Sequence, residues 1–276
     1  MTSFISRSFT PQGGFTTGIE GPACDRDGNV YAVNYGRQGT IGIVTQDGDA
    51  RIWTQLPDGS VGSGIRFDAN GDMLVADYAQ HHIFKIDIST KELSVWVHEP
   101  DMHQPNDIAI ARDGTLFASD PDWNSGRGRV WRIDQKGRAA IVDEHCGTTN
   151  GIELSPDESR LYVSESVQRT IWVYELDEDK NMVTKRMLIQ FSDCLLDGMR
   201  CDMEGNLYAT RYGKGTVAVI SPEGELQHEV RLLGKNPTNL TFGGPDGTSC
   251  YVTLSDQGNL ERFKVDVPGR CWGMWR

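Results

Sequence analysis

Asn150-Gly151-Ile152-Glu153-Leu154-Ser155, followed by the turn Pro156-Asp157 and then Leu161-Tyr162-Val163, is the stretch on which the fold turns. It reads as strand, tight turn, strand, and the same pattern recurs five more times. The other copies open at Glu20-Gly-Pro-Ala-Cys-Asp, Ser63-Gly-Ile-Arg-Phe-Asp, Asn106-Asp-Ile-Ala-Ile-Ala, Asp197-Gly-Met-Arg-Cys-Asp and Asn239-Leu-Thr-Phe-Gly-Gly. By subtraction of the opening numbers 20, 63, 106, 150, 197 and 239, the steps are 43, 43, 44, 47 and 42 residues. Each opening leads through a turn such as Asp27-Gly28, Asn70-Gly71, Asp113-Gly114, Glu204-Gly205 or Asp246-Gly247 into a second apolar strand. A period in the forties built from strands and tight turns predicts an all-β fold, a six-bladed β-propeller with four antiparallel strands per blade.

Working outward, each copy is followed by a further strand pair, for instance Thr40–Thr45 with Ala50–Thr54, and Thr170–Leu176 with Val183–Gln190. No segment of any length carries a helical period, and Asp-Gly, Asn-Gly and Glu-Gly turns punctuate the chain. Residues 1–276 are expected to form one closed domain, with Ser3–Phe9 supplying an outer strand for the last blade. The tail tryptophans Trp272 and Trp275 are expected to pack. Alternation of strand direction puts the six opening residues, the second-to-third strand loops and the blade connections at one face, the top. The Asp-Gly turns lie at the bottom, so Asp25, Asp68 and Asp202 are turn formers remote from that face.

The chain has 276 residues, with 27 basic against 39 acidic ones and a formal charge of −12. That balance argues against a nucleic-acid partner, whose phosphates need Lys and Arg to release counterions. No signal sequence is visible at the start, and no apolar run approaches the length needed to span a bilayer. The six cysteines are scattered without a C-x-x-C pair, which points to buried free thiols in a reducing compartment, the cytoplasm. A monomer or weak homo-oligomer is expected.

The opening column reads Glu20, Ser63, Asn106, Asn150, Asp197 and Asn239, and every member carries a side-chain oxygen. Innermost strands line the channel of a propeller, so these positions form a ring around its axis. Two carboxylates enclosed there would repel and resist ionisation unless a cation joined them. Hard oxygen donors without His or Cys suit Ca²⁺, which takes roughly 6–8 oxygens and would leave room for water and substrate. The competing reading is a hydrogen-bonded polar plug without metal, which gives the two carboxylates no reason to be there.

Glu20-Gly-Pro, Pro105-Asn-Asp, Thr149-Asn-Gly-Ile-Glu-Leu-Ser-Pro-Asp, Leu196-Asp-Gly-Met and Pro237-Thr-Asn-Leu-Thr-Phe-Gly-Gly-Pro-Asp-Gly together resemble the motifs of the SMP-30/gluconolactonase/LRE (regucalcin-like) family. The resemblance runs in order over nearly the whole chain. It implies one divalent cation on the axis, with Glu20, Asn150 and Asp197 as ligands and Asn106 as a ligand or substrate contact. It implies Asp197 as general base. It further implies hydrolysis of sugar lactones, or of phosphotriesters in relatives, with Ca²⁺, Zn²⁺, Mn²⁺, Mg²⁺ or Fe²⁺ in different members. One departure is Gln104, where several sugar-lactone members carry Arg; Asp107 is retained.

For catalysis the expectation is a carbonyl polarised by the cation and a water deprotonated by Asp197, with direct attack by Asp197 as the alternative. The substrate-binding candidates are Asn106, Asp107, Gln104, Trp123, Arg127 and His145, Trp123 and Arg127 lying in the long loop 120–128. His103 precedes a column residue and is a further proton-shuttle candidate. Competing readings are an esterase or phosphotriesterase at the same ion, and a non-catalytic ligand-binding propeller with a structural ion.

Overall fold

The computed structural model describes residues 4–274. A two-residue strand, β1 (Arg7–Ser8), comes first. Blade one follows with β2 (Phe15–Cys24), β3 (Val30–Tyr35), β4 (Thr40–Val44) and β5 (Ala50–Gln55). Blade two is β6 (Gly62–Phe67), β7 (Met73–Asp77), β8 (His82–Ile86) and β9 (Leu93–His98). Blade three is β10 (Ile108–Ile110), β11 (Leu116–Asp122), β12 (Arg127–Ile133) and β13 (Ala139–Cys146). Blade four is β14 (Thr149–Leu154), β15 (Arg160–Glu165), β16 (Thr170–Leu176) and β17 (Met182–Gln190). Blade five is β18 (Leu195–Cys201), β19 (Leu207–Tyr212), β20 (Thr216–Ile220) and β21 (Leu226–Arg231). Blade six contributes β22 (Pro237–Gly243), β23 (Ser249–Leu254) and β24 (Asn259–Lys264), and β1 pairs antiparallel with β24 as its fourth strand.

The protein is therefore a six-bladed β-propeller of four-stranded antiparallel sheets. The ring closes through β1, inside the stretch expected to do so; Ser3 and Trp275 lie outside the described residues. Closure by a strand from the far end of the chain protects the sheet edge that the last blade would otherwise expose.

Each of six apolar clusters lies between neighbouring blades. One packs Tyr31, Ile41 and Trp53 of blade one against Ile65, Val75 and Phe84 of blade two. Another closes the ring, setting Phe15, Ile19 and Val30 against Tyr251 and Leu260. The inner strands β6, β7, β14, β22 and β23 are buried throughout, whereas the outer strands β5, β13 and β21 expose much of their length. This gradient follows from geometry: inner strands have a sheet on either side and the channel in front, so their sequences are nearly continuous in small and apolar residues.

The bottom turns behave as read. Asp25 accepts from the N–H groups of Asp27 and Asn29, and Asp202 from those of Glu204 and Asn206. All six cysteines are free. The tail adds one turn of helix, α1 (Arg270–Gly273), under the channel. It sends Arg270 inward to Glu153 and Glu158 at 3.3 and 2.9 Å, while Trp272 lies beside Gly247. Among the described residues no helix is long and apolar enough to cross a membrane.

Candidate functional site

The innermost strands break register near the top. The pairing between β18 and β19 shifts between Leu196 and Met199, and between β14 and β15 it shifts between Thr149 and Ile152. Equivalent breaks fall between Gly62 and Ile65 and between Pro237 and Leu240. A bulge re-aims the extra residue, and here it turns the opening side chain of the blade toward the axis.

Register also corrects one position. Leu196 pairs with Arg211 in blade five and Pro237 with Leu254 in blade six, so Thr238, not Asn239, stands level with Asp197. The ring at the mouth is thus Glu20, Ser63, Asn106, Asn150, Asp197 and Thr238. Asn239 falls one residue deeper, in a second tier with Gly21, Gly64, Asp107, Gly151 and Gly198. The glycines there are required by close approach. A Cβ on Gly198 would overlap Asn239 Cγ, and one on Gly64 would overlap Asp107 Oδ1.

Asp107 is completely buried in that second tier. Its Oδ1 lies 3.0 Å from Arg66 Nη1 and its Oδ2 3.1 Å from Arg200 Nη1, and it also accepts from Ile108 N–H and Asn239 Nδ2. Burial works to raise its pKa, but the two guanidiniums outweigh it and hold the carboxyl below its usual range. With every oxygen engaged under the ring, Asp107 is placed as a support and does not reach the mouth where a substrate would sit. Arg66 and Arg200 occupy the fourth position of their repeat openings, where Glu153 stands in blade four. Their arginines were visible in the sequence but carry meaning only once the channel stacks them.

At the mouth, Glu20 Oε2 accepts from Gly21 N–H and, at 2.9 Å, from Asn239 Nδ2. Asn150 Nδ2 donates to Ser166 Oγ at 3.1 Å, and Ser166 in turn donates to Leu196 O. Asn106 is fixed by its backbone, its N–H donating to Ser119 O at 2.9 Å and its carbonyl accepting from Gly64 N–H at 2.7 Å. Three buried oxygens of the ring then have no hydrogen-bond partner: Glu20 Oε1, Asn106 Oδ1 and Asn150 Oδ1. Buried polar atoms are seldom orphaned in this way.

Burial, with the charge of Asp107, pushes Glu20 up to about 7. Burial and the charge of Glu20 push Asp197 well above its ordinary value, against hydrogen bonds from Asn150 and Gly198. The two carboxylates therefore sense each other across the ring, and in a closed pore they cannot both ionise cheaply. Among the described residues no three His, Cys, Asp or Glu side chains cluster as a metal site. The donor set here is instead two carboxylates and two amide oxygens. Unpartnered hard oxygens facing coupled carboxylates fit a hard divalent cation.

A cavity of about 230 Å³ opens on this ring, lined by Glu20, Ser63 and Asn106 and walled by Gln104, Trp123 and Tyr78. Gln104 is held by its N–H, which donates to Asp120 Oδ1 at 2.6 Å, while Asp120 Oδ2 takes Trp131 Nε1–H at 2.9 Å. The stretch 120–128 is mostly strand, β11 and β12 pairing up to Asp122 and Arg127 and leaving a four-residue turn; Trp123, 45% exposed, leans into this cavity from the start of that turn. Arg127 and His145 do not line it. They face a separate, wider groove of about 550 Å³ with His103 and Arg129. The consecutive pairs His103-Gln104 and Asp122-Trp123 form the ridge between the two spaces, each pair giving one residue to each side. Of the other top-face aromatics, Tyr78 reaches the cavity, whereas Tyr35 donates its hydroxyl to Ala50 O.

The profile described as SMP-30/Gluconolactonase/LRE-like region matches residues 19–256. Gluconolactonase of Zymomonas mobilis is 28% identical over 235 residues, covering 75% of this chain and 64% of that protein. The 6-deoxy-6-sulfogluconolactonase of Pseudomonas putida is 30% identical over 144 residues, covering 51% of this chain and 50% of that protein. The chain thus spans between half and two thirds of the length of these relatives. A gluconolactonase structure from Xanthomonas campestris superposes with a TM-score of 0.81 at 20% identity, covering 95% of this chain and 89% of that one. A calcium-binding regucalcin from Agrobacterium tumefaciens gives 0.79 at 21% identity, covering 94% and 96%. These two share the fold.

Proposed function

Because the chain belongs to the SMP-30/gluconolactonase/LRE-like family, we propose that it hydrolyses a small sugar-derived lactone at the mouth of its channel. Glu20, Asn106, Asn150 and Asp197 would hold one divalent cation there, Ca²⁺ ahead of Zn²⁺, Mn²⁺, Mg²⁺ or Fe²⁺ for an all-oxygen donor set. The observation that carries this reading is the trio of buried, unpartnered oxygens Glu20 Oε1, Asn106 Oδ1 and Asn150 Oδ1. When bound, such a cation supplies Lewis-acid stabilisation of charge developing on a carbonyl oxygen.

The chain's own groups perform the rest. Gln104, Trp123 and Tyr78 wall a space of single-ring size beside Glu20 and Asn106. The lining carries hydroxyl and amide groups from Ser63, Tyr78, Gln104 and Asn106, which suit a polar ring. Asn106 also offers its amide to a lactone hydroxyl. Asp197, half-buried at the top of its strand, takes a proton from water as the oxygen attacks the carbonyl carbon, and returns it to the ring oxygen as the acyl–oxygen bond breaks. The product is the open hydroxy acid. Arg127 and His145, across the ridge, meet a substituent that projects from the ring. The enzyme would work as a single domain, monomeric or weakly associated, in the cytoplasm, where its six free cysteines stay reduced.

The test is turnover of a panel of sugar lactones, simple esters and phosphotriesters by purified protein, before and after chelation, with metal analysis of the same sample. Lactone opening that chelation abolishes and Ca²⁺ restores is the expected result. No turnover of any lactone with cation present would overturn the assignment.

A further inference from the structure

We propose that Asn239 is a positioning residue for the cation site, holding Glu20 by one oxygen so that the other stays turned to the ring. The inference rests on the reading that the ring binds a divalent cation. Asn239 is fully buried and both ends of its amide are used. Oδ1 accepts Leu240 N–H at 2.9 Å, while Nδ2 donates to Glu20 Oε2 at 2.9 Å and to Asp107 Oδ2 at 3.2 Å. Reversing the amide would set its oxygen against two carboxylates and its NH₂ against a backbone N–H, so the orientation is fixed by its surroundings.

The same bonds decide what Glu20 can do. Oε2 is taken by Gly21 N–H and Asn239, and Oε1 is left without a partner. Asp107 cannot swing away from Asn239, because Arg66, Arg200 and Ile108 N–H hold it from other sides. A chain of contacts therefore runs Arg200–Asp107–Asn239–Glu20, from the interior of the channel to its mouth. Room for it is made by Gly198, whose place no side chain could share with Asn239. A glutamate held in its ligating rotamer beforehand loses less freedom when it binds an ion, and outer partners of this kind are worth about 10–100-fold in metal affinity.

The experiment is calorimetric titration of metal-free wild type and Asn239→Leu with Ca²⁺ alone, alongside thermal melts of both in chelator. A Ca²⁺ affinity about 10–100-fold weaker in the variant is expected, beyond any change in metal-free melting. A variant that melts lower in chelator but binds Ca²⁺ within twofold of wild type makes Asn239 merely structural and overturns the proposal. Should Asn239→Leu not fold, Asn239→Ser, which loses the reach to Glu20 without adding bulk, is titrated with the same two outcomes. If wild type binds neither Ca²⁺ nor Zn²⁺, Mn²⁺ or Mg²⁺, the cation reading itself falls and this inference with it. Binding with unchanged affinity in the variant sinks the inference alone.

Discussion

Arg200 Nη1 lies 3.1 Å from Asp107 Oδ2, although 93 residues of chain separate them. Asp107 also meets Arg66, so one carboxylate faces two guanidiniums in the centre of the channel, all three almost wholly buried. Charges in such a place persist only because each has a partner. Below them Glu153 and Arg270 continue the alternation toward the tail helix. The axis is thus filled by stacked ions, and the acidic mouth rests on this column.

Asp107→Leu leaves Arg66 and Arg200 facing one another without their shared anion. The expected cost is about 3–5 kcal/mol of unfolding free energy, read from urea denaturation. Asp246→Ala, which removes the surface partner of Lys264 at 3.0 Å, should cost under about 1 kcal/mol in the same assay. Equal effects of the two would contradict the account of the channel.

Asp197→Asn keeps the shape of the side chain and removes its capacity to take a proton. Lactone turnover should fall by about 10²–10⁴-fold, with an unchanged circular dichroism spectrum. Retained turnover in a folded variant would end the assignment of Asp197 as the base.

The metal-free protein should lose stability as pH rises. Glu20, at 4.5 when unperturbed, is held up to about 7 in the fold, and Asp197 is raised in the same sense. Between those values the folded chain binds more protons than the unfolded one. The stability contribution is therefore whole below about 4.5 and lost by about 7. In chelator the melting temperature should drop by roughly 5–10 °C across that window from this term. Saturating Ca²⁺ should erase the drop, because a bound cation favours the ionised carboxylates. A flat chelator profile would show that the two carboxylates do not share an enclosed site.

Trp123→Ala should raise KM for a sugar lactone by roughly tenfold and leave kcat within a few-fold, since the ring binds substrate without touching the reacting bond. Steady-state kinetics over a range of lactone concentrations reads both. A fall in kcat at constant KM would place Trp123 differently.

The blade count and the strand pairs were legible because a strand and its turn are local: Asp113-Gly114 or Glu204-Gly205 sets a hairpin whatever lies elsewhere in the chain. Glu20, Asn106, Asn150 and Asp197 could be picked out for the same reason, each standing at one phase of one repeat. Blade six misled by a single residue. Pro237-Thr238-Asn239 offers two polar candidates, and only the pairing of Pro237 with Leu254 shows that Thr238 is level with the ring. A slip of one residue along a strand changes which side chain faces the channel.

What the sequence by itself determined is therefore the periodic part: six strand–turn–strand units, the oxygen-bearing position that opens them, and the loops that share its face. Tertiary structure alone decided which side chains meet. It put Asp107 and Asn239 beneath the ring, stacked Arg66, Arg200 and Arg270 along the axis, and sent Trp123 and Arg127 of one hairpin into different spaces. The physical reason is that periodicity is a property of neighbours in sequence. Contact across a closed ring depends on how six sheets twist, register and pack, and no single blade encodes that.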